Sequence, residues 1–353
     1  MSGEAATGAQ QVGIMMTNQF LNRMLDPFVD GRSGAAGTNG PALGFAPERK
    51  PLPDNVALAY SAALKAPVKE AASFAQFAPW GAAYGASNRT GGDPIVVGSH
   101  DLSARTRGFV GGFDHWLTPN AVMGIALGGG GANWGLAQGL GGGRSDAFQA
   151  GVYGAARAGH GYLAGAFAYT NQWMSTDRLS LSGTQLTANF TAQSLGARVE
   201  GGYRLASAFG ALTPYAAVQT QRFHTPSYGE SDTTPEGFAL SYLAFAGTAI
   251  RNELGAHFDR MLVSTPNAAL GLRARVAWAH DSVTSPTLTA GFQSLPGANF
   301  LVTGAAPLKN AALVSAGSEM RLANGLSLLG KFDGEFAGRV QTYAGTGTLR
   351  LAW

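Results

Sequence analysis

From Gln76 to Trp353 the chain repeats one pattern, in stretches of roughly 10 to 16 residues where apolar and polar side chains alternate. Neighbouring side chains of a strand point to opposite faces, so a period of two is a strand signal and fixes which residues share a face. In "SLGARVEGGYR" (194–204), Leu195, Ala197, Val199, Gly201 and Tyr203 share one face, and Arg198, Glu200 and Arg204 share the other. In "LGLRARVAWAHD" (270–281), Leu272, Ala274, Val276 and Trp278 oppose Arg273 and Arg275. In "LLGKFDGEF" (328–336), Leu328, Gly330, Phe332, Gly334 and Phe336 oppose Lys331, Asp333 and Glu335. Charge gathers on a single face, strand after strand.

Twelve such segments are expected, near 76–87, 104–116, 120–133, 144–157, 160–173, 190–204, 212–223, 241–258, 268–281, 310–322, 326–337 and 341–353. The connections alternate in length. Those at 117–119, 158–159, 206–211, 260–267 and 323–325 are short or moderate, and those at 88–103, 134–143, 174–189, 224–240 and 282–309 are longer. Only the last hairpin, near Ala337 to Val340, is tight on the long-loop side. Long alternating strands with short turns at one end and long loops at the other are the signature of a transmembrane β-barrel. In hydrocarbon every backbone N–H and C=O must find a partner, which strands achieve only in a closed ring without an edge. A soluble sandwich would also alternate. Strand length, loop asymmetry and an aromatic terminus decide for the barrel.

That terminus, "GTGTLRLAW", ends on Trp353. Tyr343, Gly345, Gly347, Leu349, Leu351 and Trp353 form an outward stripe, with Thr348, Arg350 and Ala352 inward. The terminal indole then sits in the aromatic girdle at the membrane interface. His115, Trp116, Trp173 and Trp278 are expected to anchor strand ends at the same interface.

Composition closes off other classes. Gly numbers 51 of 353 residues, about twice the usual ~7%, and charged residues make up only 13% against about 25% in ordinary domains. Lys and Arg are scattered and the net charge is +3, so no nucleic-acid patch is expected. The chain has no cysteine, which removes thiolate metal sites and thiol nucleophiles. "GLSLLGKF" (325–332) approaches a phosphate-binding loop but has Phe332 where a magnesium-reaching hydroxyl belongs, and it lies within a strand pattern. "GGGG" (128–131) lacks dinucleotide-loop spacing, the six histidines are dispersed, and no Gly-x-Ser-x-Gly elbow exists. No catalytic residue, cofactor or metal is expected.

Two helices are expected ahead of the strands, one in "VGIMMTNQFLNRML" (12–25) and one in "DNVALAYSAALKA" (54–66), between Asp54 as N-cap and the stop at Pro67. The chain then divides into a junction segment with a short helix (1–28), a Pro/Gly-rich linker with helix 54–66 (29–75) and the barrel (76–353). "MSGEAATGAQQ" has neither a basic n-region nor an apolar h-region, so no signal peptide is expected there.

The stretches "FAPWGAAYGASNRTGGDP", "GGGRSDAFQAGVYG", "LTANFTAQSLGARVEGGYR", "RARVAWAHD", "ANFLVTGAAPLKNAALVSAGSEMRLANGLSLLGKFDGEFAGR" and "LRLAW" resemble, in order and spacing, the autotransporter β-domain of type V secretion. "NQFLNRMLDPFVDGRSG" resembles the junction between passenger and translocator. The resemblance implies a twelve-stranded antiparallel barrel in the outer membrane of a Gram-negative bacterium, with an N-terminal α-helix in or near its pore, long loops extracellular and barrel termini periplasmic. It implies a monomer that delivers or anchors an N-terminal passenger. Its partners would be outer-membrane lipid, lipopolysaccharide, the barrel-assembly machinery and its own passenger segment. The sequence departs from the pattern in carrying no signal peptide or passenger, so a fragment, a misassigned start or a decayed gene is expected.

Some members cut themselves at an Asn-Asn pair in the pore helix. Here Asn18, Asn22 and Asn55 are isolated, and no self-cleavage is expected. Of the two helices, 54–66 is favoured for the pore because its tether to the first strand is short. Tyr343, Leu349, Leu351 and Trp353 would form the C-terminal insertion signal. The functional candidates are the lumen charges Arg198, Glu200, Arg204, Arg251, Glu253, Arg273 and Arg275, with Glu319, Arg321, Lys331, Asp333, Glu335 and Arg350. They would hydrate the lumen, hold the plug helix and line the path of an extended chain. A passive porin-like channel is the alternative.

Overall fold

The computed structural model describes residues 3–26, 28, 77–180, 182–232, 237–284 and 286–352. Among these, twelve long strands run antiparallel in chain order. They are β1 (Phe77–Thr90), β2 (Leu102–Thr118), β3 (Ala121–Leu136), β4 (Gly142–Ala158), β5 (Gly161–Leu179) and β6 (Gln185–Tyr203). Then come β7 (Gly210–Thr225), β8 (Phe245–Ser264), β9 (Ala268–Val283), β10 (Asn310–Leu322), β11 (Leu326–Ala337) and β12 (Val340–Leu351). Each pairs with its neighbours in sequence, and β1 pairs with β12 from Trp80↔Arg350 to Thr90↔Val340. The ring is closed, so no strand edge is left to satisfy.

The faces obey the alternation. Phe109, Ile125, Leu163 and Val276 stand outward at 68%, 61%, 61% and 65% exposure, while Gln149, Thr170, Gln172, Arg198 and Glu200 are buried inside. Apolar outside and polar inside inverts the soluble arrangement. It suits a wall with lipid on one side and a wet lumen on the other. Trp173 and Trp278 do face outward, but Trp116 is 6% exposed and faces the lumen. It shares parity with the buried Val110 and Asp114, and two residues of like parity on one strand share a face.

β5 and β6 run further than the alternation of the sequence suggests, leaving only 180–184 between them rather than 174–189. Toward the loop end both faces of this hairpin carry Thr, Asn and Gln, so the apolar stripe fades while the hydrogen-bonded ladder continues. The two longest connections also fold. Tyr228–Gly229, Leu240–Tyr242, Thr287–Phe292 and Asn299–Thr303 make a four-stranded cap over the loop end. Glu230 ties the cap down, accepting bonds of 2.7 and 2.6 Å from Arg178 at the top of β5 and one of 2.8 Å from the Leu240 amide.

The helix α1 (Gly8–Met24), led in by a 3-10 turn at Gly3–Thr7, stands inside the barrel. Val12, Met16, Phe20, Leu21 and Met24 are fully buried against the wall of β2 to β7. Two wall glycines permit the approach. A Cβ on Gly196 would come within 2.9 Å of Leu21 and Thr17, and one on Gly128 within 3.1 Å of Phe20. The pore helix is therefore the 12–25 segment, lengthened by four residues at its start, which corrects the preference for 54–66; that second segment lies outside the described residues. Tether length was the wrong criterion, because the seat is chosen by steric fit to glycine positions brought together only by the closed ring.

Candidate functional site

The site is the lumen and the helix that fills part of it. The helix enters at the loop end, where the Trp134 indole donates to the Ala5 carbonyl at 2.8 Å. The His100 amide donates to Glu4 Oε1 at 2.7 Å, and His100 Nδ1 lies 2.7 Å from Glu4 Oε2. Midway, Thr106 donates to Gln19 at 3.0 Å, Gln149 to the Met16 carbonyl at 3.1 Å, and Gln219 to Asn18 at 3.0 Å. At its lower end Asp26 meets Lys331 at 3.0 Å, Arg23 lies 3.7 Å from Asp333, and the Phe28 carbonyl accepts from Arg273. The helix is thus held along its length by groups that would otherwise be buried and unpaired.

Its seat is eccentric. Between its far face and the wall lies a cleft of about 180 Å³, lined on the helix by Gln11, Ile14, Asn18 and Asn22. The wall across from it carries Arg251, Asp281, Glu335 and Thr342. Arg251 forks to Asp281 at 2.7 Å and to Glu335 at 2.6 Å. The Oε1 atoms of Gln10, Gln11, Gln219 and Gln221 find no protein partner among the described residues, so the cleft is suited to water.

Below the end of the helix the wall carries a second network. Arg198 donates to Glu253 at 2.9 Å through each of two nitrogens and to Glu200 at 2.7 Å. Tyr162 donates to Glu200 at 2.7 Å and Tyr215 to Glu253 at 3.3 Å. The His257 ring stacks on Tyr215 at 4.2 Å. Arg198, Glu200, Glu253, Tyr162 and Tyr215 are tied to one another by these bonds, which rigidifies the wall, while His257 Nε2 lies 3.5 Å from Glu200 and neither of its ring nitrogens makes a hydrogen bond among the described residues.

The remaining sequence candidates fall as follows. Arg273 pairs with Glu319 at 2.7 Å, Arg350 with Asp114 at 3.1 Å, and Arg275 approaches Glu253 at 3.9 Å. Lys331 lies 3.3 Å from Asp333. Arg204 lies just past β6, in the turn, and binds Asp259 at 2.6 Å. Arg321 is half-buried near the turn end of β10. Sequence reasoning missed Arg23, Asp26, Asp114, His257, Asp259 and Asp281. Three of them were within reach: His257 and Asp259 extend the inward stripe of Arg251 and Glu253, and Asp281 extends that of Arg273 and Arg275; Asp114 is opposite in parity to Arg105 and Arg107, so charge on β2 does not mark its face. Arg23 and Asp26 carry no such signal, since they become lumen groups only once the helix is inserted. No group of His, Asp and Glu arranged to hold a metal ion occurs among the described residues.

A closed twelve-stranded barrel with a helix let into its lumen narrows the field to few families. A model of the autotransporter beta-domain matches residues 79–333. The chain belongs to this family. Among solved structures, the translocator domain of autotransporter NalP from Neisseria meningitidis is similar at a TM-score of 0.62 and 15% identity, over 84% of this chain and 93% of that one. The beta domain of the Bordetella autotransporter BrkA follows at 0.59 and 17%, over 79% and 100%. The transport unit of AIDA-I from Escherichia coli follows at 0.52 and 15%, over 85% and 96%. At these identities the likeness is one of fold. No curated protein matches by sequence. The autotransporter β-domain is a transporter barrel rather than an enzyme, and its place is the Gram-negative outer membrane.

Proposed function

We propose that this β-domain delivers or anchors an N-terminal passenger segment at the cell surface, with the long loops and cap extracellular and the barrel termini periplasmic. The observation that carries the reading is the direction of the helix. Its first residues lie under the cap at the loop end, and Phe28 lies toward the turn end, the end at which β1 begins. Polypeptide joined ahead of Gly3 would therefore emerge on the loop side, whereas Phe28 and the start of β1 both lie at the other end. The buried pairs of the wall suit a rigid passage, and the outward Tyr343, Leu349 and Leu351 of β12 suit recognition by the barrel-assembly machinery; Trp353 lies outside the described residues. The test is a fusion of signal peptide and epitope ahead of Met1. Protease added to intact cells should remove the epitope, and survival of the epitope until the envelope is broken would refute the reading.

A porin-like reading draws on the hydrated cleft beside the helix. In planar bilayers the two readings part: a plugged translocator passes small, intermittent current that grows when residues 1–28 are deleted, whereas a porin passes steady current that the deletion leaves unchanged.

A further inference from the structure

The cleft beside α1 is lined by side-chain amides whose orientation is fixed and whose acceptors are left over. The Gln10 nitrogen donates to the Thr284 carbonyl at 3.0 Å, and a carbonyl can only accept, so Gln10 Oε1 turns the other way. Asn22 donates to Asn18 Oδ1 at 3.4 Å, which marks that oxygen as an acceptor; Gln219 therefore presents its nitrogen there, at 3.0 Å, and its oxygen elsewhere. The Thr90 hydroxyl donates to Asn88 at 3.0 Å and so accepts from the Gln11 nitrogen. With Gln221, these residues bring to one cavity four buried carbonyl oxygens that have no partner among the described residues. Buried acceptors of this kind ask for a donor.

Charge points the same way. Arg23 and Arg251 line the cleft against Asp281, Asp333 and Glu335, two cations to three anions. Gln11 is turned toward β1 and Gln10 toward the end of β9, so acceptors stand on both sides of the cavity, and Ile14, Met15 and Leu308 add apolar surface to its lining. Such a lining selects an occupant that donates hydrogen bonds, carries positive charge and has a hydrocarbon part.

The wall is thinnest beside this cleft. The ladder between β9 and β10 stops at His280↔Asn310. Beyond it the Asp281 amide donates to the Lys309 carbonyl at 2.6 Å, and the Gly304 amide donates to the Pro286 carbonyl at 3.0 Å. Between these two bonds no backbone hydrogen bond joins Ser282–Thr284 to Ala305–Leu308 among the described residues, and Pro307 has no N–H to give. A hollow on the outer face, where Ser282, Ala306 and Lys309 are exposed, shares Asp281, Val283, Thr284, Pro286 and Pro307 with the cleft inside. One layer of side chains separates the two.

We propose that the cleft binds a small aliphatic diamine in its ammonium form, with the ammonium groups on the free glutamine oxygens and the methylenes on Ile14, Met15 and Leu308, and that the slit between Ser282–Thr284 and Ala305–Leu308 admits it from outside the barrel. Water fills the same space but leaves the extra carboxylate unanswered, and an anion would meet acceptors on both sides. The inference concerns the folded barrel with its helix in place and does not rest on delivery of a passenger.

The test titrates the full chain, folded in micelles of a neutral detergent, with 1,4-diaminobutane, 1,4-butanediol and succinate by isothermal calorimetry. The diamine should bind at one site at least about tenfold more tightly than the diol, and succinate should not bind. Gln221→Met, which removes one free acceptor, should weaken the diamine about tenfold, and Gln221→Glu, which adds a charge at the same place, should strengthen it. A side chain needed only for packing would not move the two variants in opposite directions. The chain has no cysteine, so Pro307→Cys carries a single thiol. The diamine should slow the reaction of that thiol with a bulky maleimide, the diol should not, and the labelled protein should no longer take up the diamine. Should Pro307→Cys fail to fold, Thr284→Cys, which lines the same two hollows, takes its place. Equal binding of diamine and diol, wild-type affinity in both Gln221 variants, full uptake by the labelled protein, or heat that empty micelles reproduce overturns the proposal.

Discussion

Arg198 is 3% exposed, and its charge is answered from two sides by Glu200 and Glu253. A buried ion pair adds little net stability compared with a well-packed apolar replacement, but removal of one partner leaves a charge uncompensated, at a cost of about 3–5 kcal/mol. Glu253→Gln strips the shared carboxylate from Arg198 and Arg275 at once. Its urea unfolding midpoint in detergent micelles should fall accordingly, and restoration by the second change Arg198→Met would mark the loss as electrostatic. A midpoint equal to wild type would show the network to be energetically idle. In the cap, burial pushes the phenols of Tyr228 and Tyr242 up, and the Glu230 carboxylate beside them adds to the shift. A folded-state value raised above that of the unfolded chain contributes stability that is complete below about pH 10 and is lost as the pH rises through the folded value. Between about pH 9 and 11, Tyr228→Phe and Tyr242→Phe should therefore leave the tyrosinate absorbance of the folded barrel unchanged. A reduced signal would place these rings in water.

The helix α1 is an element whose stability is borrowed. At 17 residues, with Gly8 and Gly13 within it, the helix is marginal as an isolated peptide, and tertiary packing supplies what propensity does not. Its position depends on absent side chains as much as on present ones, since Gly196 and Gly128 are where the wall admits Thr17, Leu21 and Phe20. Gly196→Leu should push the helix off the wall while leaving the strand ladder intact. The expected readout is larger and longer current steps in planar bilayers, with unchanged β-sheet circular dichroism. Lys331→Met, which removes the partner of Asp26, should act in the same direction and more weakly. Currents as small as those of the wild-type chain in both variants would mean that the helix is not held by these contacts.

As a whole the molecule is a ring with its chemistry turned inside out. Spin labels at Val199 and Val276 should be relaxed by oxygen dissolved in the bilayer and shielded from water-soluble reagents, and a label at Gln219 should show the reverse. Aqueous accessibility at Val199 and Val276 would sink the membrane reading. The cap gives the two ends of the ring different characters. One end is a folded lid around the entry of the helix, and the other is a set of short turns next to the start of β1.

Sequence alone determined the strands, their faces and the number of them, because alternation is a local property and lipid makes it stringent. Val199, Val276 and Leu349 could be assigned outward, and Arg198, Glu253 and Lys331 inward, from parity alone. The seat of the helix, the cleft beside it and the folding of the long loops into a cap were decided by tertiary structure. Phe20 meets Gly128, Asp26 meets Lys331 and Tyr228 meets Tyr242 only when the ring has closed, and nothing in the spacing of such distant residues encodes the curvature that brings them together.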